Sequence, residues 1–202
     1  MLTRVFLVSE SSVNAPVEFA QAVDSLKGIT LRSEISASEI PSPAAVAPHS
    51  YALAADVLND DAHEDSIHGT GRFILLYDPE QSGVWGGPFR VVCFAQAPLE
   101  REIGLDPMLS DVAWSWLVDA LEVNGADYSN ASGTATRILS KGFGELSAEG
   151  DGSQIELRAS WSPTPGSMTA QVVAWAELLC MLAGLPPSSE AISMEAKRRE
   201  RG

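Results

Sequence analysis

The chain has 202 residues and a mass of 21.5 kDa, a length for one domain with at most short appendages. Hydrophobic residues make up 45% and five are Trp, which supplies a sizeable core and excludes a disordered chain. The formal charge of −14 argues against nucleic-acid and anionic-membrane partners, because phosphate binding needs clustered Lys and Arg.

Such a charge favours basic partners, or is simply a solvated acidic surface. There are two cysteines, Cys93 in a strand pattern and Cys180 in an apolar helix pattern. Both read as small buried hydrophobes, there is no CxxC, and a reducing cytoplasm is the expected location. The opening run Leu2 to Val8 is too short for a signal peptide. The longest apolar stretch, around Val172 to Leu185, holds Glu177 and falls short of the roughly 20 residues of a membrane span.

In chain order, Ala15 to Lys27 predicts a helix, with Asn14 as cap and Pro16 in its first turn. Ile29 to Ile35 alternates as a strand does. Pro41-Ser42-Pro43 breaks regular structure. The alanine-rich Pro48 to Leu58 predicts a short helix, followed by the polar loop Asn59 to Asp65. Arg72 to Asp78 is a near-continuous apolar run that suits a strand buried on both faces. Phe89 to Ala97 predicts the second strand of a hairpin with a long, glycine-rich loop.

Pro107 and Ser110 open a central helix that Gly125 closes. At 100° per residue its apolar arc is broad, with Asp111, Ser115, Asp119 and Glu122 as the polar strip. So wide an arc needs a sheet on one side and a second partner, a neighbouring helix or another subunit, on the other. Gly133 to Lys141 and Ser153 to Trp161 predict two further strands. Ser167 caps a helix to Leu182 that is apolar nearly all round. From Ser188 the chain is polar and ends in the basic Lys197-Arg198-Arg199-Glu200-Arg201, a frayed terminus or an electrostatic tether.

Val112-Ala113-Trp114 recurs as Val173-Ala174-Trp175. Each copy falls in a helix after two strands, so residues 72–124 and 133–184 read as two ββα halves. The expected fold is a single two-layer α+β domain over residues 1–188: an antiparallel sheet of four to five strands packed by helices, with that internal duplication. Residues 189–202 form the tail.

The element order also resembles the type III secretion chaperone-like fold, if residues 48–58 are an inserted helix. That resemblance implies a small, acidic, often dimeric protein that binds other polypeptides. A second resemblance rests on Leu75-Leu76-Tyr77-Asp78-Pro79, Trp85-Gly86-Gly87-Pro88-Phe89-Arg90, Trp114-Ser115-Trp116-Leu117, Ala131-Ser132-Gly133-Thr134-Ala135-Thr136-Arg137, Ile155-Glu156-Leu157-Arg158-Ala159-Ser160-Trp161 and Gly184-Leu185-Pro186-Pro187. Together these resemble an actinobacterial family of unknown function, numbered three thousand among such domains, over roughly residues 15–188. It implies an actinobacterial, cytosolic protein and supplies no catalytic residues.

The chemistry-bearing residues are sparse. His63-Glu64-Asp65-Ser66-Ile67-His68 places its histidines five apart, not the four of a zincin helix, and reads as an acidic loop. There is no GxSxG, Walker A or dinucleotide fingerprint. No catalytic residue, metal or cofactor is expected. Glu177, alone among apolar neighbours, is expected to pair with Arg137 or Arg158. Trp114, Trp116, Trp161 and Trp175 are expected in the core. Trp85, on a glycine-rich loop, either tucks back onto the body or anchors a partner.

The preferred reading is a non-enzymatic protein-interaction module, chaperone-like or an adaptor. It would self-associate as a homodimer and bind a protein or peptide through a sheet face or the Trp85 loop, with no nucleic acid and no membrane. The alternative is a small-molecule-binding protein or enzyme in which Arg90, Arg137 and Arg158 hold an anionic ligand between sheet and helices.

Overall fold

The structure is a computed structural model that describes residues 15–43, 45–58, 67–149, 151–164, 166 and 168–188. In chain order it forms α1 (Val17–Leu26), β1 (Ile35–Ile40), β2 (His49–Leu58) and β3 (Ile67–Tyr77). A 3-10 turn, Pro79–Gln81, runs into the one-turn helix α2 (Ser82–Trp85). Then come β4 (Phe89–Leu99), α3 (Arg101–Leu105), α4 (Leu109–Val123), β5 (Tyr128–Lys141), a 3-10 segment (Gly144–Glu149), β6 (Asp151–Pro163) and α5 (Met168–Leu182). The class is α+β, as expected, but among the described residues the sheet has six strands, in the order β1-β2-β3-β4-β6-β5, every pair antiparallel.

The additional strand is β2, where composition predicts a helix. Alanine favours helices only weakly, and pairing on both sides overrides that preference. The alternation is present once β2 is placed. Tyr51, Leu53, Ala55 and Val57 enter the core, while Ala52 and Ala54 lie on the opposite face. The strand expected at residues 29–35 is irregular, and β1 begins where that pattern ends. Helix α3 has no counterpart in the sequence reading. The Asn14 and Ser167 caps, His63 to Ser66 and the basic tail lie outside the described residues.

Helices cover one face of the sheet. α5 packs on β2, β3, β4 and β6, α4 on β5, β6 and α5, and α1 on α5. Twelve of the fifteen residues of α5 are buried, so this helix has neighbours on every side. Its Leu179 lies directly over Gly71 of β3, where a Cβ would meet Leu179 Cδ2 at 2.6 Å and the Phe94 carbonyl oxygen at 2.9 Å. The bare glycine lets α5 approach the sheet closely. Gln171, carried inward by α5, is paired: Trp161 Nε1 donates to its Oε1 at 2.7 Å, and its Nε2 donates to the Asp127 carbonyl at 2.9 Å. The second partner that the apolar arc of α4 requires is α5, and Leu117 and Leu121 of α4 are fully buried.

The two ββα halves take the form β3-β4-α4 and β5-β6-α5, and their hairpins meet at the β4–β6 pair. The matching tryptophans differ in burial. Trp175 is central, its ring 5.7 Å from that of Phe73, whereas Trp114 sits half-buried over the edge strand β5.

Replacing Gly71 by Ala should lower stability by about 1–3 kcal/mol in chemical denaturation, because a backbone carbonyl blocks the Cβ and only Leu179 can yield. An unchanged midpoint would show that the helix does not approach the sheet as described.

Candidate functional site

The three arginines singled out by the sequence lie apart. Arg90 projects from β4 onto the face away from the helices and ties three strands together. Its Nη1 donates to the Asn130 carbonyl at 2.9 Å and to Ser162 Oγ at 3.0 Å. Its Nη2 donates to Ser160 Oγ at 2.7 Å, to the Ser160 carbonyl at 3.3 Å and to Ser132 Oγ at 3.4 Å. All of these acceptors are neutral, and burial pulls the guanidinium below its ordinary pKa. Both terminal nitrogens are thus occupied by the fold.

The Trp85 loop docks on the same ties. The Trp85 carbonyl accepts from Asn130 Nδ2 at 2.7 Å and from Ser162 Oγ at 2.6 Å. Asn130 stands in the left-handed region (φ 52°) at a β-bulge between Ser129 and Ser132, a conformation Asn tolerates better than most residues. Trp85 itself is half-buried, and the exposed apolar residue of the loop is Val84.

Arg158 lies on the open face, bonded to Glu156 at 2.8 Å, with its guanidinium 5.6 Å from the centre of the Phe94 ring. Arg137 is on β5 and donates to the Asp106 carbonyl at 2.6 Å. Neither reaches Glu177, which corrects the expected pairing. Arg158 alternates to the sheet face opposite α5, and Arg137 sits on the edge strand, beyond reach of α5. The partner of Glu177 is Arg32, from the irregular segment before β1.

Arg32 Nη1 donates to Glu177 Oε2 at 3.1 Å and to the Pro186 carbonyl at 2.9 Å, while Nη2 donates to Glu34 Oε1 at 2.8 Å. Ser188 adds its backbone N–H, 3.3 Å from Glu177 Oε2, and its hydroxyl, on Glu177 Oε1. This clasp holds the chain after α5 against the segment before β1. The Arg32 guanidinium holds the Glu34 carboxyl down at about 2, against an ordinary 4.5. Burial pushes the Cys180 thiol beside the clasp, and the Cys93 thiol in β4, up to about 12, so both are protonated at neutral pH.

Two concavities stand out among the described residues. One, of about 520 Å³, lies between α1 and the start of α5 and is lined by Glu18, Gln21, Ser25, Met168 and Thr169 among others. The other, of about 250 Å³, lies between residues 26–31 and β1–β2. Arg90, Arg137 and Arg158 line neither. Among the described residues, no group of three or more His, Cys, Asp or Glu is placed to hold a metal ion, and no helix is long and apolar enough to cross a membrane.

The most distinctive surface is one that sequence reasoning missed, the edge formed by β5. All 14 of its residues are exposed or half-exposed, and among the described residues only β6 pairs with it. Large apolar residues gather around its far end. Ile138 and Leu139 lie on the strand, and Phe143 and Leu146 in the connection to β6. Ile103, Leu105 and Met108 lie in and just after α3, where a Cβ on Gly104 would stand 3.5 Å from Leu139 Cδ2. Those seven are most of the twelve exposed large hydrophobics among the described residues, so they form a cluster and not the usual scatter.

An antiparallel sheet that has, among the described residues, six strands, helices on one face and an open edge defines the class, α+β. Within that class the chain belongs to the family described as "Protein of unknown function (DUF3000)", whose model matches residues 15–192. No curated protein and no solved structure matches it.

Replacing Arg32 by Met should cost about 3 kcal/mol, because Glu177, 8% exposed, is left without its counter-charge. Adding Glu177→Gln should restore most of the loss in thermal or chemical melts, whereas additive losses would mean that the pair is uncoupled. The Glu34 pKa is depressed, so its contribution is present above pH 4.5 and is lost as pH falls toward 2. With its side chain 31% exposed, screening keeps this near 1 kcal/mol, so Glu34→Gln should flatten the acid limb of stability between those pH values by about that amount.

Proposed function

We propose that this protein is a protein-interaction module that acts by docking polypeptide and self-associates, not by catalysis. The observation that carries this reading is the β5 edge, where an exposed strand offers backbone groups that are unpaired among the described residues, beside clustered apolar side chains. A strand with free N–H and C=O groups is a template for another extended chain, and adjacent apolar residues give such an encounter its stability.

Two further features support it. The titratable groups that drew notice in the sequence are engaged in holding the fold: Arg90 by serine and carbonyl oxygens, Arg158 by Glu156, and Glu177 by Arg32 and Ser188. The alternative of an anionic-ligand pocket draws no support from Arg90, Arg137 and Arg158, none of which lines either concavity. The two protonated, buried thiols suit the reducing cytoplasm proposed as its location.

A photo-crosslinking residue in place of Leu139 should trap a polypeptide in a lysate of the source organism, whereas the same residue in place of Val17, which is also exposed, should not. Absence of any Leu139 adduct, together with a monomer at high concentration, would overturn the reading.

A further inference from the structure

We propose that the second half of β5, Thr134 to Lys141, is a self-association edge. Two copies pair these strands antiparallel across a two-fold axis and close the apolar residues around them against each other. This rests on the protein-interaction reading and names its partner, a second copy of the chain.

The two halves of β5 differ in how they meet solvent. The first carries the bulge between Ser129 and Ser132, with Asn130 fastened to the Trp85 loop. Trp114 lies against Gly133, where a Cβ would stand 2.7 Å from Trp114 Cζ3. Bulges and covering side chains are devices that blunt an edge. The second half has no bulge; α3 and the Asp106 carbonyl, which accepts from Arg137, meet it on the helix face, and its outer edge is bare among the described residues. Its register with β6 runs unbroken from Ser132 to Lys141, and it contains no Pro. Regular backbone of this kind accepts another strand without rearrangement.

The side chains suit a copy of the same strand. Ile138 and Leu139 alternate to opposite faces of the sheet, so apolar surface flanks the open backbone on both sides. A strand added there meets apolar residues above and below. An antiparallel strand is geometrically its own partner, and a two-fold contact sets the patch against itself. Complete covering of the seven apolar residues would bury at most about 700 Å² per copy, or about 1,400 Å² in a dimer, which reaches the size of stable interfaces.

Charge selects this edge for a chain that repels itself. Tyr128–Lys141 contains Arg137 and Lys141 and no Asp or Glu, in a protein of net charge −14. Two copies meeting here bring no carboxylates of the strand face to face. The opposite edge, β1, is six residues long and carries Glu39. Because the bodies still repel, added salt should tighten the contact, where an oppositely charged foreign partner would be released by it.

The test is light scattering and sedimentation of the purified full chain over a concentration series. A mass twice 21.5 kDa is expected, with association strengthening as salt is raised. Leu139→Glu and Phe143→Glu, at positions 55% and 73% exposed, should each weaken association at least tenfold with the far-UV spectrum unchanged. Should Leu139→Glu lose that spectrum, Phe143→Glu, outside the strand, carries the test alone. Val84→Glu, in the Trp85 loop and 76% exposed, should dimerise like the unmodified chain. A dimer indifferent to both β5-end variants would overturn the assignment of the surface. A monomer at every concentration would overturn the second copy as occupant. If a Leu139 crosslink still formed in lysate, the docking reading would stand with a different partner, and if none formed both would fall.

Discussion

The structure depends on burying α5. A helix apolar nearly all round is unstable in water until every side is covered, and no single layer can do that. The sheet takes one side, while α4 and α1 take the others. Residues such as Trp175, Leu178 and Leu179 each gain about 1.5–3 kcal/mol from complete burial. The same burial makes the polar members of the helix costly. Gln171 is satisfied by Trp161 and the Asp127 carbonyl, and Glu177 by Arg32 and Ser188. The clasp on Glu177 therefore follows from the packing of α5, and it draws in the chain on both sides of the domain.

With the helices committed to one face, the rest of the sheet is left to other means. At one end of the open face, the Arg90 ties and the Trp85 loop fasten β4, β6 and the bulged start of β5. At the other, β5 runs out to Lys141 with no cover on its outer side among the described residues. Rigidity and openness are thus divided along a single strand. Closure by hydrogen bonds stops before the apolar cluster begins, and that division gives the protein-interaction reading a definite place on the molecule.

Much of the fold was legible in the residues. α4 and α5 announce themselves by apolar arcs at helical spacing, β6 by alternation, and the ββα repeat by its spacing and the shared Val-Ala-Trp. The misreadings have physical causes. β2 is rich in alanine, whose weak helical preference yields to pairing with β1 and β3. Glu177 was recognisable as a charge needing a partner, but Arg32 lies 145 residues away in a segment without periodicity. The apolar edge escaped notice because its members come from α3, β5 and the following connection. Ile138 and Leu139, adjacent in sequence, point to opposite faces, so no helical or strand period reports them as a group.

Native-state hydrogen exchange under increasing denaturant addresses the central constraint most directly. If the burial of α5 holds the domain together, its amides from Val172 to Leu182 should exchange only with global unfolding, together with those of β3, β4 and β6. Exchange of α5 through local opening while the sheet stays protected would contradict the account.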